Sequence, residues 1–155
     1  MKKFLALISG LLTFSAVAAD VDKRQVLSLT EHQRDHVLTE MRAMLSGTQK
    51  ILDALSREDM QTVASEARLL GMGMAKGEDH LKAILPKDFM QMGMSVHKSF
   101  DTIALDAESK RDPRHTLRQL SESMQKCNAC HSGYQISVGG NGPASSQQPH
   151  QHHQH

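Results

Sequence analysis

Residues 112–134 read DPRHTLRQLSESMQKCNACHSGY, and this stretch decides the fold class. Asp112 suits an N-cap, and Pro113 suits the first helical position, where a missing N–H costs nothing. Leu117, Leu120, Met124, Cys127, His131 and Tyr134 then recur at alternating steps of three and four. That spacing marks one face of a helix, whereas a half-buried strand would alternate every second residue. The apolar stripe therefore predicts a helix that carries Cys127, His131 and Tyr134 towards a core.

Three further helical segments precede it. Thr30 followed by Gln33 is a capping-box pattern. From there Arg34, Val37, Met41, Met44, Thr48, Ile51 and Leu55 share one face, widened by Leu38, Leu45 and Leu52. A second segment opens at Ser56 and runs through Met60, Val63, Ala67, Leu70, Met74, Gly77, Leu81 and Ile84. Gly71, Gly73 and Gly77 predict a break or kink within it, and Pro86 ends it. The third, from about Lys87 to Ala107, has Phe89, Gly93, Val96, Phe100, Ile103 and Ala107 as its stripe. No strand-period alternation of useful length is evident, nor any repeat of roughly 20–50 residues. The expected fold is all-α, an antiparallel four-helix bundle running up-down-up-down.

Composition agrees. A chain of 155 residues with 39% hydrophobic content supports one core. Phe 4, Tyr 1 and Trp 0 are too few aromatics for an all-β sandwich or barrel. Two Cys are too few for a disulfide scaffold, and a formal net charge of +1 argues against nucleic acid as partner. At the N-terminus, Lys2 and Lys3 precede an apolar run from Phe4 to Phe14 and the small residues Ala16, Ala18 and Ala19. This reads as a secretory signal peptide over 1–19, too short to span a membrane. Residues 20–138 form the expected domain. Residues 139–155, rich in Gly, Pro, Gln and His, read as a disordered tail whose His150, His152, His153 and His155 offer weak metal binding.

The chemistry lies in Cys127-Asn128-Ala129-Cys130-His131. C-x-x-C-H is the attachment signature for c-type haem. On a helix all three side chains project to nearly one side. Two thiols there add to two haem vinyl groups, and the imidazole ligates the iron. A thioredoxin-like pair would need a βαβ context, a zinc site would want four ligands, and a structural disulfide fits poorly at this spacing on a helix. Covalent haem attachment of this kind happens outside the bacterial cytoplasm, which agrees with the export signal. One covalent haem c in the periplasm is the expectation. No Ser/His/Asp set, carboxylate pair or phosphate loop stands out, so no enzyme activity is expected.

A four-helix bundle with C-x-x-C-H on its last helix resembles the class II cytochromes c, the cytochrome c prime group. The resemblance covers roughly Thr30 to Ile136. Tyr134 matches the family pattern after the haem histidine, whereas Gln135 stands where Arg is usual. The resemblance implies that Arg34 pairs with a haem propionate, that Leu38 faces the distal side, and that copies pair through helical faces. The sixth iron position stays open. With Leu38 there, the site is five-coordinate and takes nitric oxide or carbon monoxide. With Met41 as ligand, or Met44 after it, the site is six-coordinate and suits electron transfer with a periplasmic redox partner. His97, beside Val96, is a lesser candidate for that position and ordinarily reads as a helix-surface histidine. The M-x-M groupings Met72/Met74 and Met90/Met92/Met94 raise a copper-handling alternative. Alternate residues diverge around a helix, so these groups are expected to serve packing instead.

Overall fold

The computed structural model describes residues 22–76 and 79–139. The leader expected over 1–19, the tail beyond Gly139, and Gly77 lie outside the described residues. Four long helices make up most of the chain. The first, α1 (Glu31–Ser56), opens with the expected capping box: Thr30 N–H donates to Gln33 Oε1 at 3.0 Å, and Gln33 N–H donates to Thr30 Oγ1 at 3.3 Å. Thr30→Ala removes one half of that exchange and is expected to cost about 1 kcal/mol, read as a drop of a few degrees in Tm.

α2 (Met60–Leu69) starts four residues later than the sequence pattern placed it, since Ser56 is still the last residue of α1. Glu58 turns the chain at φ 55, and Asp59 caps the new helix by accepting from Thr62 N–H at 3.0 Å. The expected break falls at the glycines. At Gly71 a Cβ would collide with the Asp101 carboxylate, which accepts from Met72 N–H at 3.0 Å. Turns follow, then a single-turn helix α3 (Asp79–Lys82). α4 (Lys87–Ser109) begins after Pro86, and α5 (Pro113–Gly133) begins under Asp112, which accepts from the N–H groups of Arg114 and His115 at 2.9 and 3.1 Å.

α1 packs on α2, α2 on α4, and α4 on α5. The main core gathers Ile51, Ala54, Val63, Ala67, Phe100 and Ile103. Gly47 sets the approach of α1 to α2: a Cβ there would lie 2.7 Å from Leu70 Cδ1. No helix among the described residues is long and apolar enough to cross a membrane.

Two sequence expectations need correction. Strands do occur: β1 (Gln25–Leu29) pairs in parallel with β2 (Tyr134–Val138), from Gln25↔Tyr134 to Leu29↔Val138. Tyr134 is therefore not helical; at φ −131, ψ 149 it is already extended. Leu27 and Leu29 bury themselves in a second apolar cluster with Val37, Leu81, Leu85 and Phe89. The Phe89 ring meets Tyr134 edge-on at 5.3 Å. The other correction concerns the α5 stripe. Leu117 is 46% and Met124 39% exposed, while Thr116, Leu120 and Ser123 are buried. The buried face is turned by one position because small hydroxyl residues, which carry no hydrophobic signal, sit against the neighbouring helix.

The α4–α5 junction is held by Asp106. Its carboxylate accepts from Lys110 Nζ at 2.9 Å, His115 Nε2 at 2.7 Å and Gln119 Nε2 at 2.7 Å. The Lys110 and His115 hydrogen bonds, in that order, pull its pKa down to about 2. A lowered carboxylate pKa stabilises the fold above the ordinary value and is lost as pH falls. Acid titration from 3.8 towards 2 is therefore expected to weaken the native chain. Asp106→Asn should flatten that part of a Tm-against-pH curve.

Candidate functional site

A crevice opens between α1, α4 and α5. Its main cavity has a volume of about 600 Å³. That is within the range of roughly 300–1,000 Å³ in which small molecules and cofactors are held. α1 contributes Leu38, Met41 and Met44; α4 contributes Met90, Val96 and Phe100. α5 contributes Ser123, Met124, Cys127, Cys130 and His131. A second cavity of about 280 Å³ shares Leu38, Met41, Phe89, Cys130 and His131, so the two are parts of one crevice.

Cys127, Cys130, His131, Arg34, Leu38, Met41 and Met44 all line that crevice. Cys127 and Cys130 are half-buried on α5 and unpaired, with no disulfide between them. Cys127 packs against the main core and Cys130 against the strand-side cluster. Burial pushes both thiols up, and Cys127 adds to the upward shift of Cys130. Their place near the C-terminus of α5 works in the same direction, because the negative end of the helix dipole disfavours thiolate. Reactive redox cysteines have the opposite arrangement, with thiolate stabilised at a helix N-terminus. The pair is suited to remain as neutral thiols until they are capped.

His131 is in the last turn of α5. Its carbonyl accepts from Arg24 Nη1 at 3.2 Å, which ties the end of the helix to the segment before β1. Arg24 itself is clamped by Asp22, with its closest N–O contact at 2.6 Å. Arg34 lines the second cavity, and its guanidinium has no ion-pair partner among the described residues. It is thus a cation available to an anion in the crevice, as is Lys126 on the wall of the main cavity. Met41 is half-buried, lines both cavities and packs against the strand-side cluster.

Sequence reasoning missed two features. Met90 and Met92 do converge, since both line the main cavity with Met41, Met44 and Met124. The inward face of α4 is wide enough to take residues two apart. His97 is not on the surface: it is 4% exposed, lines the same cavity, and its Nδ1 is 2.8 Å from the Leu70 carbonyl oxygen. The signal was there in Ala104, seven residues on, which is buried with Ile103 just as His97 is buried with Val96. A strict stripe of alternating threes and fours leaves such paired positions at its edge.

Among the described residues no group of three or more His, Cys, Asp or Glu forms a metal cage. What the crevice offers is an apolar slot, two thiols and an imidazole along one wall, and the Arg34 guanidinium at one end. Comparison with protein-family models, with curated proteins and with solved structures finds no match to this chain.

Proposed function

We propose that the chain is a mono-haem c-type cytochrome of the class II kind, exported to the periplasm, where it carries electrons to and from a redox partner protein. The observation that carries the reading is the convergence of Cys127, Cys130 and His131 on the wall of one apolar crevice, with both thiols unpaired. The residues fit the group. A crevice of about 600 Å³ accepts a large flat apolar ring. The thiols are half-buried, with burial raising their pKa, and Arg34 has no ion-pair partner among the described residues.

Haem supplies a one-electron iron couple. The chain supplies the rest. Cys127 and Cys130 would hold the haem through thioether bonds to its two vinyl groups, each thiol hydrogen passing to the neighbouring vinyl carbon with no net electron transfer. His131, in the adjoining turn, would hold the iron through an imidazole nitrogen. Arg34 offers a charge-assisted hydrogen bond to a propionate. Leu38, Met41, Val96 and Phe100 exclude water, which keeps reorganisation small.

The test is expression of the full chain in a host competent for c-type maturation. Its expected result is a mass increase of one haem that survives acid–acetone extraction, with a reversible one-electron couple. A polypeptide that matures without covalent haem sinks the reading. Leu38 on the wall of both cavities favours a second reading, an open sixth position that binds nitric oxide or carbon monoxide. A reduced spectrum that shifts on adding carbon monoxide selects it; a low-spin spectrum indifferent to carbon monoxide selects the electron carrier.

A further inference from the structure

We propose that His97 supplies the second axial nitrogen to the iron, an inference that rests on the haem-attachment reading above. His97 lines the same cavity as Cys127, Cys130 and His131. It comes from α4, in the middle of the wall, and it is 4% exposed. Its Nδ1 lies 2.8 Å from the Leu70 carbonyl oxygen. A carbonyl only accepts, so Nδ1 carries the proton and the lone pair of the neutral ring sits on Nε2.

Nε2 has no hydrogen-bond partner among the described residues. It is not one of the buried unpartnered atoms either, so this nitrogen is open to the crevice that His97 lines. A histidine whose Nδ1–H is fixed by a backbone carbonyl and whose Nε2 is bare has the form of a metal ligand. The hydrogen bond sets the tautomer, orients the ring and raises the basicity of the free nitrogen.

The acceptor is rigid as well. Leu70 is the C-cap residue of α2, is itself buried, and is pressed against Gly47 of α1. Its carbonyl therefore holds the imidazole from the tight α1–α2 contact. The other candidates lack such support. Leu38 has no lone pair. The thioethers of Met41 and Met44 pack against the two apolar clusters, and that packing accounts for them.

The experiment is spectroscopy on the haem-loaded full chain. The expected ferric form is low-spin with two nitrogen ligands: a bis-imidazole electron paramagnetic resonance signal and no near-infrared sulfur-to-iron charge-transfer band. His97→Ala should convert it to high-spin, open the ferrous form to carbon monoxide, and regain the low-spin signal with added imidazole. Met41→Ala should keep the low-spin signal of two nitrogen ligands, with no loss of a sulfur-to-iron band. A sulfur-to-iron band, or a high-spin ferric form, in the unaltered chain overturns the assignment even if His97→Ala does not fold. So does a two-nitrogen spectrum that survives His97→Ala, which would assign the ligand to another histidine. In each of those results the haem is still covalently bound, so the cytochrome reading stands. Absence of covalent haem overturns both.

Discussion

Serine at both 127 and 130 is expected to leave the chain without covalent haem after expression in a maturation-competent host. Mass spectrometry should give the mass of the polypeptide alone, and acidified acetone should extract any residual pigment. The reasoning is chemical. A thiol is a far better nucleophile than a hydroxyl, so the thioether bonds cannot form, while the side-chain shape is nearly kept. The structural cost should be small. Both positions are half-buried in the last turns of α5, and neither thiol takes part in a disulfide whose loss would loosen the fold. Far-ultraviolet circular dichroism should therefore stay helical. Either single serine variant is expected to retain one thioether, with one vinyl group left unsaturated and a red-shifted pyridine haemochrome band. A double variant that still holds haem covalently would assign attachment to another nucleophile and end the reading built on Cys127 and Cys130.

How far the sequence could carry this depended on the range of each interaction. Helix starts are local, and they were legible: Thr30 with Gln33, and Asp112 with Pro113, cap the helices they were expected to cap. Gly71 broke the second segment as expected, although its specific cause, the Asp101 carboxylate against its backbone, is a contact thirty residues away in sequence. The strands were not legible. β1 and β2 have five residues each, too short for alternation to stand out, and their partners come from opposite ends of the domain. On α5 the reading by hydrophobicity chose Leu117 and Met124 over Thr116 and Ser123, yet close helix packing favours the small residues. Their hydroxyls have no hydrogen-bond partner among the described residues. The site divides in the same way. Cys127, Cys130 and His131 declare themselves by local spacing, whereas the burial of His97 and its tie to the Leu70 carbonyl depend on the α2–α4 contact that the folded chain makes.

Phe100→Ala is expected to be the most destabilising single truncation, at about 3–5 kcal/mol. Phe100 is among the largest fully buried side chains and packs with Ile51, Val63, Val96 and Ile103 at the meeting of α1, α2 and α4. It is also part of the cavity wall. Those two placements pull in different directions. The core side leaves a void that rigid helices cannot close, which pushes the cost up. The crevice side already borders open space, so part of the void joins an existing cavity, and fewer packing contacts are lost. Ile103, buried in the same cluster but absent from the cavity wall, separates the two effects. Ile103→Ala should cost about 2–5 kcal/mol. Leu45, at 69% exposure, should change stability by less than about 0.5 kcal/mol when cut to Ala. Denaturant unfolding reads all three, with the slope unchanged if only the native state is affected. Total stability for a domain is about 5–15 kcal/mol, so the Phe100 variant should sit near its unfolding midpoint in mild denaturant. A Phe100→Ala cost no larger than that of Leu45→Ala would mean that the core does not close around Phe100. The crevice would then lack the firm α4 wall on which both Val96 and His97 depend.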